Sequence, residues 1–110
     1  MNFMTEQRLL DEAVERLVAQ FGPERIILFG SQARGDAGPR SDVDLLVVCS
    51  VSGRRRDLMV AMGRALRGLP FARDIVVVTP EEFAQYRDLA GTVVRPAARE
   101  GRVLYERPAA

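Results

Sequence analysis

Leu28-Phe29-Gly30-Ser31-Gln32-Ala33-Arg34-Gly35-Asp36, followed after a short gap by Ser41-Asp42-Val43-Asp44-Leu45-Leu46-Val47, is the stretch that decides how this 110-residue chain folds. Before the glycine stands Arg25-Ile26-Ile27-Leu28-Phe29, short, β-branched and ended by Gly30, which reads as a buried strand. Residues 30–42 are rich in Gly, Ser, Asp and Pro and form a loop, with room for one helical turn near Gln32-Ala33. Val43 to Cys49 is a second buried strand. The link between the two strands contains no full helix, which permits them to run antiparallel.

Outward from this centre, Leu10, Ala13, Val14, Leu17, Val18 and Phe21 recur at helical spacing; Thr5 can cap that helix, and Gly22-Pro23 ends it. After a turn at Ser50 to Gly53, Leu58, Ala61, Met62, Ala65, Leu66 and Leu69 mark a second helix, stopped by Gly68 and Pro70. Ile75 to Val78 is a third strand. Thr79-Pro80-Glu81-Glu82 is a helix start with a capping threonine, a proline at the first position and a glutamate three residues after the cap; the helix runs to about Leu89. Val93 to Glu100 reads as a short helix, Arg102 to Glu106 as an edge strand, and Arg107 to Ala110 as a frayed tail. The unit from Val43 to Val78 is strand–helix–strand and predicts a parallel crossover. The expected class is α/β (α+β): one domain, residues 1–110, with a small mixed sheet and helices packed on it.

The carboxylates follow from this frame. Residues two apart on a strand share a face, with Cα atoms roughly 6.5 Å apart at ~3.3 Å rise per residue. Asp42 and Asp44 therefore project together, and each raises the other's pKa. Such a pair at the mouth of an apolar strand is costly unless a positive group joins it, and a divalent cation with oxygen ligands suits it. Asp74, at the start of the third strand, lies beside them if the second and third strands are parallel neighbours. Three acids so placed can hold one or two Mg²⁺ ions. Gly30 lets a phosphate approach the main chain, Ser31 can donate from its hydroxyl and backbone N–H, and Arg34 can bond a phosphate or a nearby acid. Taken singly each feature is ordinary: Gly-Ser is a common turn, Asp-x-Asp occurs in many loops, and Asp74 alone is a strand-start residue. Asp36 and Arg40 read as solvated loop residues, and Tyr86 and Tyr105 as half-buried packing residues.

Composition narrows the chemistry. Histidine is absent, so Ser-His-Asp catalysis, Cys-His catalysis and His-based zinc sites are excluded. The single cysteine, Cys49, allows no intrachain disulfide and ends an apolar run, as a buried structural thiol does. No stretch approaches the ~18–20 apolar residues that cross a bilayer, and the N-terminus lacks the order of a signal peptide, so a cytoplasmic location is expected. The net charge of +1 gives no basic footprint for nucleic acid. Arg54-Arg55-Arg56 reads first as a solvated helix start and second as a phosphate or partner contact. Neither G-x-x-x-x-G-K-[ST] nor G-x-G-x-x-G occurs, which leaves P-loop and Rossmann sites unsupported.

As a whole, Gly30-Ser31-Gln32-Ala33-Arg34-Gly35 followed by Ser41-Asp42-Val43-Asp44-Leu45 resembles the signature of the DNA polymerase beta-like nucleotidyltransferase superfamily, and most of all its minimal nucleotidyltransferases, the short branch often encoded beside a HEPN-domain protein. The resemblance runs from about Ile26 to Val78 and extends more weakly over Ala98 to Glu106. It implies that Gly30 and Ser31, with Arg34 and Ser41, hold the triphosphate of ATP or another NTP. It implies also that Asp42 and Asp44 bind Mg²⁺, and that Asp74 is the third acid, activating the acceptor hydroxyl or completing a second metal site. The implied reaction moves a nucleoside monophosphate, AMP from ATP, to a hydroxyl and releases pyrophosphate. The implied acceptor is a tyrosine of a HEPN-type toxin, with the chain acting as antitoxin. Two other readings stand beside it: a binding module that neutralises a partner by occlusion, and a small-molecule nucleotidyltransferase that would need a partner subunit to hold its acceptor.

Overall fold

The computed structural model describes residues 7–35 and 42–108. The capping role of Thr5, the loop residues Asp36 and Arg40, and Ser41 fall outside them. The elements in chain order are α1 (Gln7–Phe21), β1 (Arg25–Phe29), α2 (Ser31–Arg34), β2 (Val43–Val48), α3 (Arg55–Ala65), β3 (Arg73–Val78), α4 (Pro80–Tyr86), α5 (Val94–Glu100) and β4 (Arg102–Glu106). The strands form one sheet in the order β3-β2-β1-β4. β1 runs antiparallel to both β2 and β4, and β2 runs parallel to β3, so the sheet is mixed as expected.

Helices cover both faces, which is why the central strands read as continuous apolar runs and not as alternating ones. On one face Leu10, Ala13 and Leu17 of α1 and Met62 of α3 pack with Leu66 on Ile26, Leu28, Val43, Leu45, Val47, Ile75 and Val77. On the other, Phe83 of α4 and Val94 and Ala97 of α5 pack on Ile27, Leu46, Val48 and Val78. Leu17, Leu46 and Leu66 are fully buried, each contributing about 1.5–3 kcal/mol of transfer free energy. Cys49 is buried within the first of these clusters, and burial pushes its thiol pKa up, as befits an inert core residue. No helix among the described residues is long and apolar enough to cross a membrane.

Several boundaries differ from the sequence pattern. α3 ends at Ala65, although Leu66 and Leu69 continue its apolar spacing; both are buried from the turns that follow, where Leu66 N–H bonds Gly63 O and Leu69 N–H bonds Leu66 O. α4 ends at Tyr86, short of Leu89, because Leu89 N–H bonds Tyr86 O in a tighter turn and the Thr92 hydroxyl takes the carbonyls of Tyr86 and Leu89. β3 begins at Arg73, before Ile75: pairing with β2 draws Arg73 into the strand together with Asp74, which the sequence sets at the strand's start. At the start of α4 the expected capping box is complete, with Thr79 and Glu82 bonding each other's backbone N–H at 3.1 and 2.8 Å. Gly101 lets α5 turn directly into β4, since a side chain there would collide with Ala97 O and Ile27 Cγ2.

Candidate active site

The carboxylates are placed by strand register. Phe29 pairs with Asp44 across the antiparallel β1–β2 ladder, and Asp44 pairs with Asp74 across the parallel β2–β3 ladder. Phe29, Asp44 and Asp74 thus form one row at one end of the sheet. Their even spacing from Leu46, Val48, Val76 and Val78 puts them on the face covered by α4 and α5. Asp42 lies just before β2 and is exposed, as is Asp74; Asp44 is half-buried.

Gly30 closes the row. It takes φ 77° and ψ −156°, a combination that only glycine adopts without strain, and so turns the chain from β1 into α2. A methyl group at Gly30 would collide with Asp44 Oδ2, so the carboxylate lies directly against the glycine backbone. α2 then starts at Ser31, its first helical bond running from Arg34 N–H to Gly30 O at 3.1 Å, and Gly35 caps it in the left-handed conformation with its N–H on Ser31 O. The first-turn N–H groups of α2 precede that first bond and point out of the helix's N-terminal end.

The local field is that of an acid cluster. The Asp44 carboxyl pKa is raised, first by burial, then by the charges of Asp74 and Asp42, with Arg34 opposing. Among the described residues, no three Asp, Glu, His or Cys side chains are gathered tightly enough to hold a metal ion. The exposed Asp42 and Asp74 act on Asp44 through the field, as expected of like charges that gain by turning to water. The structure therefore brings Gly30, Ser31, Arg34, Asp42, Asp44 and Asp74 to one end of the sheet; Ser41 lies outside the described residues.

Two residues that the sequence pattern did not single out support this end of the sheet. Gln32 is 3% exposed, a buried amide beneath the Gly30–Gly35 turn. Its burial depends on how the short α2 seats on β1, which no periodicity over four residues can reveal. Arg73 precedes Asp74 and donates to the carbonyls of Phe71 and Gly63 at 3.2 Å each and of Leu69 at 3.5 Å, with its guanidinium over the Phe71 ring. It ties the turn after α3 to the start of β3. Just before it, Ala72 O accepts Val43 N–H at 2.9 Å, which joins that turn to the residue between Asp42 and Asp44.

Residues 10–104 match the nucleotidyltransferase domain family. Over 104 residues the chain is 32% identical to "Putative protein adenylyltransferase MJ0604" of Methanocaldococcus jannaschii, covering 93% of this chain and 100% of that protein. Over 50 residues it is 48% identical to "Putative protein adenylyltransferase MJ1305" of the same organism, spanning 44% of this chain and 34% of that longer relative. Among solved structures, a "putative nucleotidyltransferase" from Sulfolobus solfataricus superposes with a TM-score of 0.64 at 26% identity, over 91% of this chain and 79% of the other. A toxin-antitoxin structure with AMP-PNP superposes with a TM-score of 0.54 at 20% identity, over 88% of this chain and 73% of that one, a likeness of fold. The sheet order, the Phe29–Asp44–Asp74 row and these matches converge: the chain belongs to the nucleotidyltransferase domain family and is a nucleotidyltransferase.

Proposed function

We propose that this chain, acting as one domain over residues 1–110, transfers AMP from ATP to a hydroxyl of a partner protein, with Mg²⁺ as cofactor. The observation that carries the reading is the row Phe29–Asp44–Asp74 with the Asp44 carboxylate against Gly30. It sets a glycine-lined approach for phosphate beside two acids on neighbouring strands.

Asp42, Asp44 and Asp74 offer the hard oxygen donors a divalent cation takes, and Asp42 and Asp74, exposed and not gathered with Asp44, would have to turn toward it around the ion; the Asp44 pKa, raised by burial and then by Asp74 and Asp42 against Arg34, is what such an ion would relieve. Asp42, Asp44 and Asp74 would hold it, and bound there it supplies charge neutralisation for the phosphate oxygens. The chain's own groups do the rest. Gly30 admits the phosphate chain to the backbone, and Ser31 donates to it from its hydroxyl and N–H. Arg34 adds a charge-assisted bond, and Ser41 completes the phosphate contacts. Asp74 takes the proton of the attacking hydroxyl, whose oxygen bonds the α-phosphorus as pyrophosphate leaves. Catalysis is mostly orientation and electrostatic stabilisation.

The protein acceptor is supported by the two archaeal relatives named as protein adenylyltransferases. The antitoxin role is supported by the toxin-antitoxin structure of the same fold. A HEPN-type toxin is the partner the motif resemblance implies. A second reading is neutralisation by occlusion without turnover, which a fold shared with a toxin-antitoxin structure also allows. Co-expression of the toxin with wild type and with the Asp42→Asn/Asp44→Asn double variant separates the two. Loss of neutralisation by a folded double variant supports transfer; full neutralisation establishes that occlusion suffices.

A further inference from the structure

The turn between α4 and α5 and the outer face of α5 enclose an open cavity of about 380 Å³, lined by Gly91, Thr92, Arg95, Pro96, Arg99 and Glu100. None of these belongs to the site described above. The inner face of α5, Val94 and Ala97, is spent on the sheet, so Arg95 and Arg99, one helical turn apart, project on the other side.

Arg95 is the unusual member. Its Nε is fully covered and has no hydrogen-bond partner among the described residues. Its side chain also forms no salt bridge among them, nor does that of Arg99, although Glu100 lines the same cavity. Other half-buried arginines here are put to internal use: Arg73 binds three carbonyls, and Arg16 binds those of Ala65 and Arg67. Buried polar groups are nearly always partnered, and a guanidinium cannot shed its charge to escape the cost. The backbone beneath Arg95 is fixed: Thr92 Oγ1 accepts Arg95 N–H at 3.3 Å while donating to Leu89 O at 2.9 Å. Arg95 and Arg99 both line the cavity one helical turn apart, and their permanently charged, planar guanidinium groups are the chemistry an oxyanion takes.

We propose that Arg95 and Arg99 form an oxyanion site for a phosphate-bearing ligand, separate from the nucleotide site. Two cations against the single charge of Glu100 match a phosphate group better than one carboxylate. The proposal goes beyond the transfer reaction and is read without any triphosphate.

The test is a titration of the full ¹⁵N-labelled chain with inorganic phosphate, against sodium chloride at matched ionic strength and against acetate. The arginine Nε–Hε and backbone amide signals are followed by NMR. The site predicts saturable shifts at Arg95 and Arg99 with phosphate, weaker ones with acetate, and no saturation with chloride. Arg95→Gln should weaken the phosphate response at least tenfold. Arg99→Gln, at an exposed position, should weaken it severalfold with the fold retained, and Asp44→Asn should leave it unchanged. Shifts confined to Gly30–Arg34, equal responses to chloride, or indifference to both arginine substitutions would overturn it.

Discussion

At the scale of single residues, the site turns on Asp44 and the glycine it leans on. Asp44 carries a pKa raised above the ordinary 3.8, first by burial and then by Asp74 and Asp42. For an acid shifted upward the stabilising contribution is full below about pH 3.8 and is lost as pH rises through the shifted value. At pH 7 without divalent cations, wild type therefore holds an unfavourable charge. Asp44→Asn should raise Tm there by about 2–4 °C and leave it unchanged near pH 3, as thermal denaturation at the two pH values would show. Gly30→Ala should be costly twice over: about 1–3 kcal/mol for a side chain in a glycine-only backbone region, measured by urea denaturation, with displacement of the Asp44 carboxylate in addition. Most of this was legible in the sequence, because Gly-Ser and Asp-x-Asp carry their chemistry in their spacing. Gln32 was not, because burial of a lone amide depends on tertiary seating.

At the scale of elements, β3 shows what a pattern cannot supply. Asp74 reads as a strand-start residue from the sequence, but only the parallel ladder with β2, which also recruits Arg73, sets it beside Asp44. Arg73→Gln should release the Gly63, Leu69 and Phe71 carbonyls, lower stability by roughly 1–3 kcal/mol and reduce turnover more than nucleotide affinity. Urea denaturation and ATP titration separate the two effects. The start of α4, by contrast, was fully readable from Thr79-Pro80-Glu81-Glu82. Glu82 has its pKa lowered from 4.5, first by the Thr79 N–H and then by Arg55, so its contribution is present above that value and is lost as pH falls. Thr79→Ala should cost about 1 kcal/mol at pH 7 by denaturant titration. Arg55, from the basic run at the start of α3, reaches across to Glu82 at 3.0 Å, so it anchors α3 to α4 as well as starting a helix.

At the scale of the molecule, the mixed sheet follows from two links: one after β1 whose helix is only the single turn α2, and one after β2 that carries the full helix α3. The continuous apolar strands announced a sheet covered on both faces. They did not say which helix takes which face, since that is decided by packing between residues far apart in sequence. The assembled molecule gathers negative charge at one end of the sheet, and there a cation should stabilise the fold by mass action. At a hundredfold excess over its Kd, Mg²⁺ should add about 2.7 kcal/mol to wild type and nothing to Asp42→Asn/Asp44→Asn. Equal gains in both proteins, by thermal denaturation, would remove the metal site.

The most direct test of nucleotidyl transfer is label transfer from ATP carrying a radioactive α-phosphate. Purified chain would be mixed with Mg²⁺ and a lysate of its host, beside an Asp44→Asn control. The reading predicts a labelled protein band with wild type alone, its identity naming the acceptor. Label on no protein, with ATP binding intact, or equal label with Asp44→Asn, would contradict it.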